Sequence, residues 1–329
     1  MVSSRLEPAA LDAHLPPLSA GVVPVEVQPG GGTCANLEAG WGRIRRGLLR
    51  ALRPGYVRAM RAKRLGECAH CQHDIIDPRD LKLCRNVCGF QFRPEDDRFQ
   101  WRGRLRFARY GLAELVVSLV GTALLLGAAT AGARATGSPA WWLLALPAAT
   151  LAAFALWFFR DPTRTPTADA DALLSPADGV VTHVDEVDAP GFPGGRAARI
   201  SIYLSPWNVH LNRMPRRARF RSSLYFRGEF LNARHRECVK RNEQLWVDLE
   251  EPDGRLIRLK LVSGKVARRL VCWMRPGEEL AAGERFGMIK FGSRTDVLVA
   301  VGGGHVVTCA VGDAVFAGLT VLMRFGEPA

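Results

Sequence analysis

With 329 residues, of which 48% are hydrophobic, the chain can bury the core of one large domain or two small ones, which excludes a protein that is disordered throughout. The formal net charge is +13, and residues 41–110 carry most of it, with 18 Lys and Arg against 7 Asp and Glu. Such a basic segment suits nucleic acid or the anionic surface of a cytoplasmic membrane leaflet, and composition does not distinguish the two.

Residues 1–60 are expected to form a flexible, basic N-terminal tail, because residues 1–40 are rich in Pro, Gly and Ala and show little periodicity. Between residues 41 and 66, Arg alternates with Leu, Trp and Tyr, which favours a basic amphipathic helix near the membrane surface, broken at Pro54. A solvated basic linker is the alternative. The opening residues lack the pattern of a secretory signal, so we expect the folded part to be cytoplasmic.

Residues 61–100 contain four of the eight cysteines in the spacing C-x2-C-x12-C-x3-C, at Cys68, Cys71, Cys84 and Cys88. Two such pairs can bring four thiolates to one tetrahedral ion, so the spacing predicts a structural zinc site. An iron–sulfur cluster or four unrelated thiols are the alternatives. The other four cysteines are widely scattered, which in a reducing compartment argues against a disulfide scaffold.

Residues 111–159 are expected to form a transmembrane helical hairpin. Two uncharged runs, Leu115–Ala133 and Ala140–Phe159, are each about long enough to cross a bilayer, and the link between them is short. Both flanks then lie on one side of the membrane, which the positive-inside rule makes the cytoplasmic side. A buried helical pair in a soluble protein is the alternative. The hairpin favours the membrane, and not nucleic acid, as the partner of the basic segment.

Residues 161–329 alternate short apolar runs with turn residues, which is typical of a β-rich domain, with a helix around Leu231–Asn242. Two segments, Pro276–Gly287 and Val311–Leu322, share a pattern that resembles the turns of a biotinyl- or lipoyl-type hammerhead barrel. The expected fold class is a β-rich α+β catalytic domain, barrel-sandwich or hammerhead-like, preceded by the transmembrane hairpin. The expected strands are Gly179–Val184, Arg199–Leu204, Leu245–Leu249, Leu256–Val262, Leu270–Trp273, Val297–Val301 and His305–Val311.

Three short blocks in this domain supply an acid, a base and a hydroxyl: SPADG with Asp178, SPWNVH with His210, and KFGSR with Ser293. An Asp that orients a His, which in turn deprotonates a Ser, would form a hydrolase triad. Spacing alone leaves this open, since Ser293 lacks a G-x-S-x-G setting and His183 competes for the role of base.

These blocks, together with FFRDP at Phe158–Pro162 and ARRLVCW at Ala267–Trp273, resemble the short-form phosphatidylserine decarboxylase family of archaea and bacteria. The resemblance covers the hairpin and nearly everything after it, and it leaves the first hundred residues, with their cysteines, outside. It implies a pyruvoyl-dependent enzyme that converts phosphatidylserine to phosphatidylethanolamine and that cuts itself between Gly292 and Ser293.

The resemblance also implies roles for individual residues. Ser293 would attack the carbonyl of Gly292 and become the covalent pyruvoyl cofactor, which leaves one chain ending at Gly292 and a second of residues 293–329. His210 would be the base and Asp178 its partner, with His183 as the alternative base. The mature enzyme would be a homodimer of processed chains at the cell membrane, with its catalytic domain on the cytoplasmic side.

Four basic residues are candidates for holding the lipid phosphate or the substrate carboxylate, because guanidinium groups match oxyanions; a solvated or membrane-facing basic surface is the alternative. These residues are Arg213, Lys265, Arg268 and Arg269.

A membrane-tethered hammerhead-type carrier or adaptor without catalysis is the alternative function. Such a protein would need a lipoyl or biotinyl Lys at a hairpin tip. The obvious tips carry Glu278, Glu279 and Gly312-Asp313 instead, which favours the enzyme.

Overall fold

The computed structural model describes residues 32–68, 71, 73–85, 88–235, 237–265, 269–275, 277–290, 293–301 and 304–326. The chain divides into two compact units. The first comprises residues up to Phe99 together with Arg164–Pro206 and His210 onward, and the second comprises Gln100–Thr163 and Trp207–Val209. Gly292 and Arg268, two residues singled out in the sequence, lie outside the described residues.

The described residues form five α-helices and fourteen strands. The helices are α1 (Gly32–Leu52), α2 (Pro54–Ala62), α3 (Leu112–Thr136), α4 (Trp142–Phe158) and α5 (Cys238–Arg241). The strands are β1 (Ala172–Leu174), β2 (Gly179–Asp188), β3 (Arg196–Leu204), β4 (Leu211–Arg213), β5 (Ala218–Phe226), β6 (Gln244–Glu250), β7 (Leu256–Ser263), β8 (Arg269–Cys272), β9 (Glu279–Leu280), β10 (Arg285–Lys290), β11 (Ser293–Ala300), β12 (His305–Val307), β13 (Ala314–Val315) and β14 (Val321–Phe325).

An eight-stranded antiparallel sheet organises the first unit, in the order β13-β2-β3-β11-β7-β6-β5-β9. Two three-stranded sheets, β1-β14-β12 and β4-β10-β8, complete it. Strands β6, β7 and β11 carry buried residues at almost every position, as expected for central strands covered on both faces. Their side chains join one core that includes Phe220, Leu245, Leu259 and Phe286. The prediction of a β-rich, sheet-dominated domain is confirmed.

The two segments with a shared sequence pattern adopt the same local structure. Gly277 and Gly312 have φ of +83° and +102°, and the acidic residue after each accepts a hydrogen bond from the backbone N–H three residues before it. Strands β9 and β13 follow and form the two opposite edges of the large sheet. Gly283 and Gly318, equivalent in the two segments, both have positive φ and lie against each other, since a Cβ on Gly318 would come 3.2 Å from the Cα of Gly283.

Helices α1 and α2 occupy residues within the segment that was expected to be a flexible tail. The break between them falls at Pro54, which begins α2. The helices are ordered by charge pairing, because the buried carboxylates of Asp77 and Asp80 bind guanidinium groups from α1, with Arg46 Nη1 at 3.1 Å from Asp80. A buried carboxylate is stable only when such a partner neutralises it.

The second unit contains the two apolar helices. The spans Arg109–Thr136 and Pro139–Phe158 are long and apolar enough to cross a membrane by length and composition, and most of their surface is exposed. They form a hairpin in which Thr122 Oγ1 donates to the carbonyl of Ala148 at 2.9 Å, and α3 ends at Gly137 with φ of +69°. Two apolar helices are therefore shown, in the place that the hydropathy predicts.

The seven predicted strands overlap β2, β3, β6, β7, β8, β11 and β12, although β12 ends four residues before the predicted end at Val311. The helix expected around Leu231–Asn242 is reduced to the four residues of α5. Asn242 explains the difference, because its side chain bonds both the N–H and the carbonyl of Leu231, at 2.8 Å each, and so closes residues 231–242 as a loop.

Candidate active site

Ser293 is the first residue of β11, in the middle of the large sheet. It pairs with Leu204, the last residue of β3, on one side and with Ser263, the last residue of β7, on the other. Lys290, three positions earlier, ends β10 in a different sheet. The chain therefore passes from one sheet to another in the short connection between Lys290 and Ser293.

Three polar atoms near this connection have no hydrogen-bond partner within the described part of the chain. They are the hydroxyl oxygens of Ser293 and Ser263 and Oδ1 of Asn212, and all three residues are fully buried. A buried polar group without a partner costs about 1–3 kcal/mol, and in a native protein such a group calls for an explanation. For Ser293, a reaction of the hydroxyl with the neighbouring backbone would be such an explanation.

Asp178 lies in the turn between β1 and β2, and a buried salt bridge fixes its carboxylate. Arg164 Nη1 and Nη2 donate to its two oxygens at 2.5 and 2.7 Å, and the N–H of Ala317 donates to Oδ1 at 2.8 Å. The turn is followed by Gly179, where a Cβ would come 2.2 Å from the carbonyl oxygen of Tyr203, so only glycine fits. Sequence reasoning pairs Asp178 with His210, whereas its observed charged partner is Arg164.

The turn that carries Asp178 meets the strand that follows His210. Arg213 N donates to the carbonyl of Pro176 at 2.9 Å, which joins β4 to this turn. The side-chain Nδ2 of Asn212 lies 3.5 Å from the same carbonyl and 3.4 Å from Oγ1 of Thr295, the second residue after Ser293. The structure therefore brings the three sequence blocks to one place.

His210 is almost completely buried, with 1% of its surface exposed. Its carbonyl accepts a hydrogen bond from the N–H of Ile289 at 3.1 Å, and β4, which begins at the next residue, pairs with β10. Ile289 is three positions before Gly292 in the chain. His210 is thus anchored to the strand that leads into the Gly292–Ser293 connection.

His183 lies elsewhere on the large sheet. It pairs with Ser201, which pairs with Asp296, so His183 is two strands across and three residues along from Ser293. Two strand spacings amount to about 10 Å and three residues along a strand to about another 10 Å, so the backbones of His183 and Ser293 are roughly 14 Å apart. Burial and, after it, nearby guanidinium groups lower the pKa of His183, which keeps its imidazole neutral near pH 7. At that distance the imidazole of His183 cannot take the proton of Ser293 directly.

The four basic residues proposed as anion ligands have different surroundings. Arg213 is buried, and its Nη1 donates to the carbonyl of Gly283 at 3.0 Å. Arg269 is buried and paired with Glu38. Lys265 is exposed, and Arg268 lies outside the described residues.

Glu38 of α1 is a neighbour of this site that sequence reasoning missed. Its carboxylate bonds Arg269 and lies 3.2 Å from Nζ of both Lys290 and Lys82. Burial raises the pKa of the Glu38 carboxyl, but the attraction of the three cations outweighs burial and lowers the pKa to about 2. The carboxylate therefore stays ionised at any physiological pH. Lys290 and Arg269 are themselves buried and adjacent on paired strands.

Arg164 is the second residue that was missed. It follows the FFRDP block by two positions, but a single sequence does not show that it folds back onto Asp178, 14 residues later. A buried carboxylate requires a counter-ion, and this requirement was the only indication that Asp178 would have a basic partner.

Comparison with known proteins places this geometry in a family. A family model described as phosphatidylserine decarboxylase matches residues 151–323. A phosphatidylserine decarboxylase proenzyme of Rhodopirellula baltica is 40% identical over 249 residues, which cover 75% of this chain and 100% of the relative. The proenzymes of Chlorobium luteolum and Nitrosomonas europaea are 45% and 43% identical, each over 56% of this chain and 84% of the relative. The residues matched by the family model include all three blocks of the site.

Proposed function

Because the chain belongs to the phosphatidylserine decarboxylase family, we propose that Ser293 is the nucleophile that cuts the chain after Gly292 and the residue from which the pyruvoyl cofactor forms. The chain is a pyruvoyl-dependent carboxy-lyase, made as a proenzyme, that decarboxylates phosphatidylserine to phosphatidylethanolamine. The observation that carries the residue assignment is the Ser293 hydroxyl, which is fully buried at the start of a central strand and has no partner among the described residues.

The cleavage uses only the chain and one water molecule. Ser293 Oγ attacks the carbonyl carbon of Gly292 while a base carries its proton to the Ser293 nitrogen, so the amide becomes an ester. Loss of the Ser293 α-proton then expels the Gly292 carboxylate and leaves dehydroalanine at position 293. Tautomerisation and attack by water release ammonia and leave a pyruvoyl group at the start of residues 293–329. This group supplies an electron-withdrawing carbonyl that binds the substrate amine and accepts the electron pair left by departing carbon dioxide.

His210 is the proposed proton carrier in both reactions. It takes the proton of Ser293 Oγ during cleavage and, after carbon dioxide leaves, donates a proton to the substrate α-carbon. Its burial and the bond of its carbonyl to Ile289 support this role. Asp178 is the proposed acidic partner, oriented by the bidentate salt bridge to Arg164 and tied to the strand after His210 through the Pro176 carbonyl.

Lys265 is exposed, whereas a backbone carbonyl engages Arg213 and a carboxylate engages Arg269. We therefore assign the lipid phosphate to Lys265, and Arg268, which lies outside the described residues, stays a candidate for the same role. Arg213 and Arg269 remain candidates for binding the substrate carboxylate.

The two apolar helices support a membrane hairpin. Their exposed faces carry large apolar side chains such as Val117, Leu124, Leu143 and Leu146, which water would solvate poorly. The substrate is itself a membrane lipid, so an anchor raises its local concentration. We place the catalytic part on the cytoplasmic side because of the basic residues before the hairpin. We also propose a barrel-sandwich architecture, which the contact between the Gly283 and Gly318 turns supports. The homodimer is a further part of this proposal.

Replacement of the nucleophile tests the proposed function. We expect Ser293→Ala to leave one uncleaved chain without decarboxylase activity, because no hydroxyl remains to form the ester. Cleavage is measured by denaturing electrophoresis and activity by carbon dioxide released from phosphatidylserine in detergent micelles.

Two identical substitutions separate the candidate bases. His210→Asn is expected to slow cleavage and decarboxylation by about 100-fold or more, the usual contribution of a general acid or base. His183→Asn, roughly 14 Å away, serves as the matched control and should leave both rates within about twofold of the unchanged protein. Equal effects of the two His substitutions would refute the assignment of His210 as the base. Normal decarboxylation by the Ser293→Ala protein would refute the assignment of Ser293 as the nucleophile.

A further inference from the structure

The four clustered cysteines lie in the first unit, outside the residues that the family model matches. The sulfur atoms of Cys68, Cys71 and Cys88 all lie within 4.8 Å of one another, and those of Cys71 and Cys88 are 2.7 Å apart. Cys84 belongs to the same buried cluster. None of these residues takes part in the proposed decarboxylation.

The backbone around the cysteines holds the two pairs together. Leu65 and Gln91 exchange both backbone hydrogen bonds, at 2.9 Å each. Beside this bridge, a Cβ on Gly66 would come 2.4 Å from the carbonyl oxygen of Gly89, and a Cβ on Gly89 would come 1.9 Å from that of Glu67. Two glycines are thus required so that the chain before Cys68 and the chain after Cys88 can lie in contact.

The apolar core of this segment is small. Its buried members are Ile75, Leu81 and the cysteines Cys84 and Cys88, with the two other cysteines and two Phe side chains packed against them. Modules of about 40 residues or fewer usually need a metal, a disulfide or a partner to stay folded. In a reducing compartment, and with the thiols gathered at the centre of the cluster, a metal ion is the fitting support.

We infer that Cys68, Cys71, Cys84 and Cys88 bind one structural Zn²⁺, which fastens the N-terminal segment to the catalytic sheet. A tetrahedral ion with Zn–S bonds of about 2.3 Å holds its sulfurs roughly 3.8 Å apart. This separation lies between the 2.7 Å that divides the sulfurs of Cys71 and Cys88 and the 4.8 Å within which all three sulfurs lie, so these two sulfurs move apart when the ion binds. An iron–sulfur cluster places several irons and sulfides between its thiolates and needs a wider spacing. The contact of the Cys84 thiol with the Asp80 carbonyl is long, at 3.6 Å, so its loss on binding an ion costs little.

The contacts around the cluster show what the ion would hold in place. Arg85, next to Cys84, donates to Glu278 at 2.9 Å, and the carbonyl of Phe90, two residues after Cys88, accepts from Arg275 at 2.7 Å. Both partners belong to the turn before β9. The ion therefore fixes the positions of Arg85 and Phe90, through which the cysteine segment contacts the turn before β9.

Metal analysis of the full chain, purified in detergent under reducing conditions, tests this inference. We expect about one zinc per chain, and cobalt exchanged into the site should give the intense absorption of thiolate-to-cobalt charge transfer. Cys71→Ser and Cys88→Ser should each lower the zinc content at least severalfold, and lower the melting temperature. Cys309→Ser, a half-buried cysteine outside the cluster, is the matched control and should keep one zinc.

Three results would overturn the inference. The first is a wild-type chain that contains no zinc, or contains iron instead. The second is that the Cys71→Ser and Cys88→Ser proteins retain as much zinc as the Cys309→Ser protein. The third is an intact mass that shows a disulfide between Cys71 and Cys88. The wild-type measurement does not depend on whether the variants fold.

Discussion

Lys290 and Arg269 are two cations buried side by side, and the first of them is two residues before Gly292 in the chain. Buried cations are tolerated only with a counter-charge, because removing one member of a buried pair costs about 3–5 kcal/mol. Glu38 supplies that charge from α1, at the other end of the sequence. A residue outside the family-matched segment thus stabilises the strand that leads into the proposed cleavage site.

We expect Glu38→Gln to destabilise the protein by about 3 kcal/mol at pH 7, the difference that corresponds to a carboxyl pKa lowered from 4.5 to about 2. Because the folded-state pKa is depressed, this stabilisation is fully present above about pH 4.5 and is lost as the pH falls toward 2. The melting temperature in detergent, measured from pH 7 to pH 3, should fall less steeply for the variant.

The exposed pair of Glu229 and Arg241 provides the matched control, because solvent screens it. Glu229→Gln should melt within a degree or two of the unchanged protein. Equal melting temperatures for Glu38→Gln and Glu229→Gln would contradict the role assigned to Glu38.

The sequence allowed candidate site residues to be chosen from local patterns. Ser293, His210 and Asp178 stand in short blocks with distinctive neighbours, and the structure brings those blocks together. The partners of buried charges were not predictable in this way. Glu38 and Arg269 are separated by 231 residues, and nothing in the composition of either segment indicates that they meet.

At the scale of elements, hydropathy located both apolar helices because a long uncharged run has few other structures available to it. Strands β4 and β10 escaped prediction, although β4 follows His210 directly and β10 precedes the proposed cleavage site. They contain Asn, Arg, Gly and Lys at buried positions, so they show neither apolar alternation nor a continuous apolar run.

Leu124 and Leu146 are exposed on α3 and α4, and arginine at both positions tests the membrane hairpin. Each arginine in the middle of a span costs about 2.5–3.5 kcal/mol on insertion scales, so we expect the double variant to be released from membranes by an alkaline wash. The unchanged protein should stay in the membrane pellet.

Val306 of β12 is as exposed as these leucines but lies in the first unit, so Val306→Arg is the matched control and should stay with the membrane. Release of the unchanged protein by the alkaline wash would show that the hairpin does not span the bilayer.

For the whole molecule, the sequence pattern indicated a β-rich domain and even its repeated turns, because those depend on glycine and acidic residues at fixed local spacing. The order of the strands was not predictable, since β11 pairs with β3 and β7, each many residues away. That order places Ser293 between two buried strand ends and makes the bond before it a passage between sheets.

The intact mass of the purified protein tests the central claim most directly. We predict two chains, residues 1–292 and residues 293–329, with the smaller one blocked at its amino terminus and lighter by one ammonia than a peptide that begins with serine. A single chain of the full encoded mass that still released carbon dioxide from phosphatidylserine would contradict the account.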